Sequence, residues 1–176
     1  MGDLYERVSD ERGWLEKLIG KIPGYKGYKE KEMRRESDKI LREMIVTQMK
    51  RQRQRMEDLQ KQLISAGRLE YLDEMGNAVT KLQTFIDRVK NATYGYAGLF
   101  DAVRVKEEAL DRLYDFDNQL LGYAERLSNA LDEVETSIPA GEGLAEAVRR
   151  VLSICAEANR TFDEREHVIL MSTQSV

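Results

Sequence analysis

The chain has 176 residues, 41% hydrophobic and 34% charged, with two prolines, one cysteine, one histidine and a formal net charge of −4. That length suits a single domain over 1–176 and leaves little for a second core. So few turn residues exclude a β-sandwich, and a lone Cys155 excludes an internal disulfide framework. The N-terminus is charged from Asp3 and has no apolar signal core, and no run approaches the roughly 20 residues of a membrane span. The expected location is therefore cytoplasmic.

The fold class expected is all-α: an elongated antiparallel helical bundle or coiled coil of four to five helices. A first amphipathic helix over 3–22 starts at Asp3, with Glu6 placed for a capping box, and carries Leu4, Val8, Leu15, Leu18 and Ile22 with Trp14 beside them. Pro23 and Gly24 stop it. Tyr25 and Tyr28 then lie at a hinge, where amphipathic rings can cover the end of a core or offer a small aromatic contact site.

A long basic helix follows over 28–66, with Gly67 placed as its C-terminal cap. Its apolar stripe of Met33, Ile40, Met44 and Ile45 resumes at Met56, Leu59 and Leu63. Between them the run Lys50, Arg51, Gln52, Arg53, Gln54, Arg55 has no apolar residue, so that turn and a half is expected to face water or charge.

The clearest pattern lies in the segment 68–136. Leu72, Val79 and Ile86 repeat every seven residues, and Met75, Leu82 and Val89 repeat three positions later, as in a coiled-coil seam. The same register continues through Thr93, Tyr96, Phe100 and Val103. This central segment is expected to be long, either continuous or kinked at Gly95 and Gly98. Tyr94, Tyr96, Leu99 and Phe100 surround those glycines, and the missing Cβ atoms would let another helix pack closely there. Beyond them Leu110, Leu113, Leu120, Ala124, Leu127, Leu131 and Val134 form a further stripe, with Asp117 at one of its seam positions. A lone carboxylate there must be paired, hydrogen-bonded or wet. Ser137 to Gly143 is a turn, and a last helix over 143–170 carries Leu144, Val148, Val151, Cys155, Ala158 and Phe162 on one face.

No complete catalytic constellation emerges, so no enzyme activity, cofactor or metal is expected. Glu164 and His167 supply half of a carboxylate-bundle metal motif with no second half, and read as an exposed charged turn. Cys155 falls on an apolar face, where a thiol behaves as a small hydrophobe. No glycine-rich loop follows a strand as a phosphate cradle requires.

Charge is the stronger functional signal. Positions 21–61 carry 13 Lys/Arg against 7 Asp/Glu, whereas 101–146 carry 12 Asp/Glu against 4 Lys/Arg. The acidic stretch, within the chain or on a neighbouring copy, is the expected counterpart of the basic run. The leading expectation is thus a non-enzymatic scaffold or protein-interaction module that self-associates or docks a protein partner through its seams. A peripheral membrane protein using Trp14, the first helix and the following lysines is the alternative. Third comes nucleic-acid binding through Lys50, Arg51, Arg53 and Arg55, which the acidic surroundings oppose.

Overall fold

A computed structural model of the protein describes the backbone of residues 29–92 and 107–174, and the side chains of residues 42–92, 116 and 119–167. The chain divides into two compact units, Met1–Arg34 and Arg35–Val176. Four helices pack against one another among the described residues, and no strand occurs there: α1 (Lys29–Ser65), α2 (Leu72–Asn91), α3 (Glu107–Ser137) and α4 (Leu144–Gln174). The protein is all-α.

Alternate steps of three and four residues explain why α1 buries one face. Ile45, Met49, Met56, Leu59 and Leu63 are fully buried, with Arg42 buried one step before them. Gln52 occupies the step between Met49 and Met56 and is half-buried. The polar run at 50–55 is therefore not turned outward throughout, as its composition implied: the seam passes through it. In α2 the buried set is Met75, Ala78, Leu82, Phe85, Ile86 and Val89. Leu72 and Val79 are only partly buried. Each helix here faces two neighbours, so its apolar face is wider than a single seam. Acidic Asp73 and Glu74 in the first turn of α2, and Arg88 and Lys90 in its last, complement the helix dipole.

The two turns are built on glycine. At the end of α1, Arg68 N donates to Leu63 O at 2.8 Å and Gly67 N donates to Ile64 O at 3.0 Å. Gly67 has φ 71°, so this is the Schellman arrangement that its position in the sequence implied. A single 3-10 turn, Leu69–Tyr71, then leads into α2. Between α3 and α4 the left-handed residues are Gly141 (φ 77°) and Gly143 (φ 72°).

Contacts fix the helix directions. Tyr123, Arg126 and Glu133 of α3 meet Thr161, Glu157 and Arg150 of α4, so these two helices run in opposite senses. Arg55 of α1 reaches Asp132 of α3, and Arg68 just past α1 reaches Pro139 just past α3, so α1 and α3 run in the same sense. Lys81 and Arg88 of α2 meet Asn159 and Asp163 of α4, again in the same sense. Two hairpins, α1–α2 and α3–α4, thus lie side by side with both turns at one end.

That arrangement bears on the central segment 68–136, expected to be either continuous or kinked at Gly95 and Gly98. Arg88 and Tyr123 both contact α4 between Asn159 and Asp163. An unbroken helix would hold positions 88 and 123 about 52 Å apart along its axis. Among the described residues of the segment are two helices, α2 and α3, and α4 lies against both. Whether Gly95 and Gly98 receive a close-packed helix falls outside the described residues.

The core is continuous along all four helices. Phe85 of α2 and Phe162 of α4 meet edge to face, with centroids 6.2 Å apart and an interplanar angle of 85°. The Tyr123 hydroxyl and Thr161 Oγ1 form a buried hydrogen bond of 2.8 Å between α3 and α4.

Candidate functional site

The most organised polar features join one hairpin to the other. Arg55 leaves α1 half-buried and lies against one face of α3. Its Nη1 donates to Ser128 O at 3.3 Å, and its Nη2 donates to Asp132 and, at 2.9 Å, to Glu135. These acceptors are spaced i, i+4 and i+7, one stripe of a helix. Burial in the groove acts to lower the Arg55 pKa, but the hydrogen bonds and charges of Asp132 and Glu135 outweigh it and hold the guanidinium above its ordinary value.

The same device recurs on the other two helices. Arg88 of α2 donates through Nη1 to Asn159 O at 3.4 Å and through Nη2 to Asp163 at 2.5 Å and Glu166 at 2.8 Å. Burial again pulls down while Asp163 and Glu166 more than compensate, so Arg88 too is held above its ordinary value. Its guanidinium also covers the Phe162 ring at 4.8 Å. Each acidic helix therefore offers Ser or Asn, then Asp four residues on, then Glu three further on, in SNALDEVE and NRTFDERE. Each of α1 and α2 offers one such arginine immediately before a buried seam residue, Met56 or Val89.

The basic run separates into different fates. Lys50 and Arg51 are exposed. Arg53 pairs with Glu57 along α1 at 3.5 Å. Arg55 is matched by α3, inside the acidic stretch that charge asymmetry suggested as its counterpart. Asp117 lies in α3, but its side chain is outside the described residues. Trp14, Tyr25, Tyr28, Tyr94, Gly95, Tyr96, Gly98 and Phe100 also lie outside them, so the structure brings together only the candidates of the basic run.

Near the C-terminal end of α4, in the helix expected there, Glu164 and His167 are exposed, as read, whereas Arg165 between them is only 1% exposed. Its guanidinium lies 6.0 Å from the Phe162 ring centroid. Cys155 is buried, and burial pushes its thiol up to about 12, against the opposing pull of Lys81. Among the described residues no cluster of three or more His, Cys, Asp or Glu could hold a metal ion, and no helix is long and apolar enough to cross a membrane. An open cleft of about 270 Å³ beside the second turn is lined by Glu133, Thr136, Glu146 and Arg150. Arg150 is taken up there by Glu133 at 2.8 Å.

One apolar feature is left uncovered. Ile64 (55% exposed) and Leu69 (60%) flank the Gly67 turn and are the large hydrophobic side chains exposed among the described residues. Sequence reasoning singled out neither, nor Arg88, Asp163 or Glu166. The repeated Ser/Asn, Asp, Glu spacing is the signal that could have pointed to the clamps.

Comparisons with protein-family models, with curated proteins and with solved structures find no match to this chain.

Proposed function

We propose that this chain is a non-enzymatic helical interaction module, an antiparallel bundle with coiled-coil seams, that docks a protein partner or self-associates. The seams themselves are filled by the chain's own helices, so the contact with a partner is made at the turn end, through Ile64 and Leu69. The observation that carries this reading is their exposure, since the other large apolar side chains among the described residues are buried or partly buried. Two large apolar side chains held in water gain from burial when a partner covers them, and that gain outweighs the rotamer freedom they give up. The partner contributes an apolar patch of its own, ringed by the polar rim that such contacts carry.

Ile64→Glu with Leu69→Glu tests this. Both positions are exposed, so the melting temperature should stay within a degree or two of wild type. Light scattering and affinity capture should show a bound protein or second copy retained by wild type and lost by the double variant. Equal retention by the two chains would remove the turn end as the contact. The basic run provides no comparable support for nucleic acid, because Arg53 and Arg55 already meet carboxylates of this chain.

A further inference from the structure

One arginine at the turn end differs from its counterparts along the helices. Among the described residues four arginines are half-buried: Arg53, Arg55, Arg68 and Arg88. Three of them meet carboxylates of this chain, Glu57 for Arg53, Asp132 and Glu135 for Arg55, and Asp163 and Glu166 for Arg88. Arg68 meets none among the described residues. Its guanidinium lies against Gly141 of the second turn, and Nη2 donates to Pro139 O at 3.5 Å. Nε is buried without an acceptor, and Nη1 donates to nothing among the described residues. Most of the five N–H donors of a guanidinium are thus unused. Carboxylates stand at the same end: Glu70 follows Leu69, and Glu142 follows Gly141. Both are exposed and pair with no cation among the described residues. The end that carries the uncovered Ile64 and Leu69 therefore also carries an unmatched arginine and two unmatched carboxylates.

Taking the turn end as the point of contact, as proposed above, we infer that its occupant is a second copy of this chain. The two copies meet about a two-fold axis. Ile64 and Leu69 of the two copies cover one another, and Arg68 of each takes Glu70 or Glu142 of the other. A symmetric contact uses one patch on both copies, so that patch must hold both halves of every pairing. The turn end does so: the apolar pair is its own complement, and cation and carboxylates stand beside it. An unrelated partner would have to bring a matching apolar surface and carboxylates of its own, both of which a second copy has. Within one copy Glu70 and Glu142 leave Arg68 unmatched, although one lies two residues from it and the other adjoins the glycine it rests on. An arginine beside apolar anchors, inside a charged rim, is the composition that contacts between proteins favour. Its planar fork takes a carboxylate through two parallel bonds. Two turns make a small patch, so the dimer is weak and forms as concentration rises.

The test uses full-length chains in a sedimentation series up to about 1 mM. Wild type should pass from monomer to dimer across it. One variant carries Arg68→Glu; the other carries Glu70→Arg with Glu142→Arg. Each alone sets like charges against one another across the two-fold axis and should weaken the dimer at least about tenfold. Mixed in equal amounts, the two should form a heterodimer of wild-type affinity. There the introduced carboxylate of one copy meets the introduced guanidinium groups of the other, and the remaining Arg68 keeps its native pairing. Circular dichroism melts check that each variant is folded. The second variant changes exposed positions alone, so its loss of dimer carries the test should Arg68→Glu not fold. Wild type that stays monomeric at about 1 mM would overturn the second copy as occupant. The turn end would then stand as a contact for a different protein if Ile64→Glu with Leu69→Glu still abolished capture. A wild-type dimer unaffected by either charge variant would overturn the Arg68 pairing. A dimer that also survived Ile64→Glu with Leu69→Glu would remove the turn end altogether.

Discussion

Gly141 shows how one atom's absence serves two constraints. Its φ of 77° is poorly tolerated by residues with a Cβ, and an ideal Cβ there would lie 2.5 Å from Nη2 of Arg68. Gly67 has nearly the same φ with nothing within 4 Å of that Cβ. Gly67→Ala should thus cost the backbone strain alone, about 1 kcal/mol. Gly141→Ala should cost a few tenths more, since Arg68 is flexible and swings aside at the loss of its contact with Pro139 O (3.5 Å). Thermal melts in an Arg68→Ala background should erase the excess; an excess that survives would place its origin elsewhere. Cys155 supplies a pH signature. With the folded thiol raised to about 12 from the ordinary 9.0, the unfolded chain ionises first. Stability is then fully present below pH 9 and falls as pH rises from 9 towards 12. Cys155→Ala should show a shallower fall in alkaline melts, and a thiol reagent at about pH 8 should react with wild type only after denaturation.

At the scale of the helix, Gln52 marks where α1 departs from an apolar seam. Its Oε1 is buried without a hydrogen-bond partner in the protein, between the fully buried Met49 and Met56. Gln52→Leu should raise stability by about 1 kcal/mol in urea titrations, by removing a poorly satisfied polar group from the seam. Met56→Ala one step on should lower it by roughly 2–5 kcal/mol. Neither Arg55 nor Arg88 is worth that much, because the carboxylates they meet are about half exposed or more (49–63%). Arg55→Ala and Arg88→Ala should each cost roughly 1 kcal/mol, less in high salt. Much of α2 was legible in the sequence, since Met75, Leu82, Ile86 and Val89 announce their burial by local spacing alone. Ala78 and Phe85 were not, because a helix with two neighbours buries positions beside the seam. The fate of Arg55 was legible only as a charge balance: its acceptors lie 73 to 80 residues further along the chain. Arg165, buried among charged neighbours, gave no local sign at all.

For the molecule as a whole, helical content followed from composition and period, whereas the path of the chain did not. The heptads of α2 and α3 could be joined on paper into one helix, and only contacts with α4 show that they double back. Heptad spacing sets which face is buried but leaves open which helix covers it. The fold is nonetheless economical in sequence distance within the second hairpin, where α3 and α4 meet over separations as short as 17 residues, from Glu133 to Arg150. Such local pairing favours fast formation of that hairpin, with docking on α1 and α2 as the later step. Stopped-flow refolding should therefore show Arg126→Ala or Glu133→Ala slowing folding, and Arg55→Ala mainly speeding unfolding. Placing both turns at one end also decides how the bundle responds to mechanical load. Glu43 on α1 and His167 on α4 both lie towards the opposite end. Handles attached there pull across the helices rather than along them, so the core layers separate in succession, like a zipper. Optical-tweezer traces should show gradual yielding at low force from that pair of handles, whereas handles at Glu43 and Glu142, which load the helices lengthwise in shear, should show an abrupt rupture at higher force.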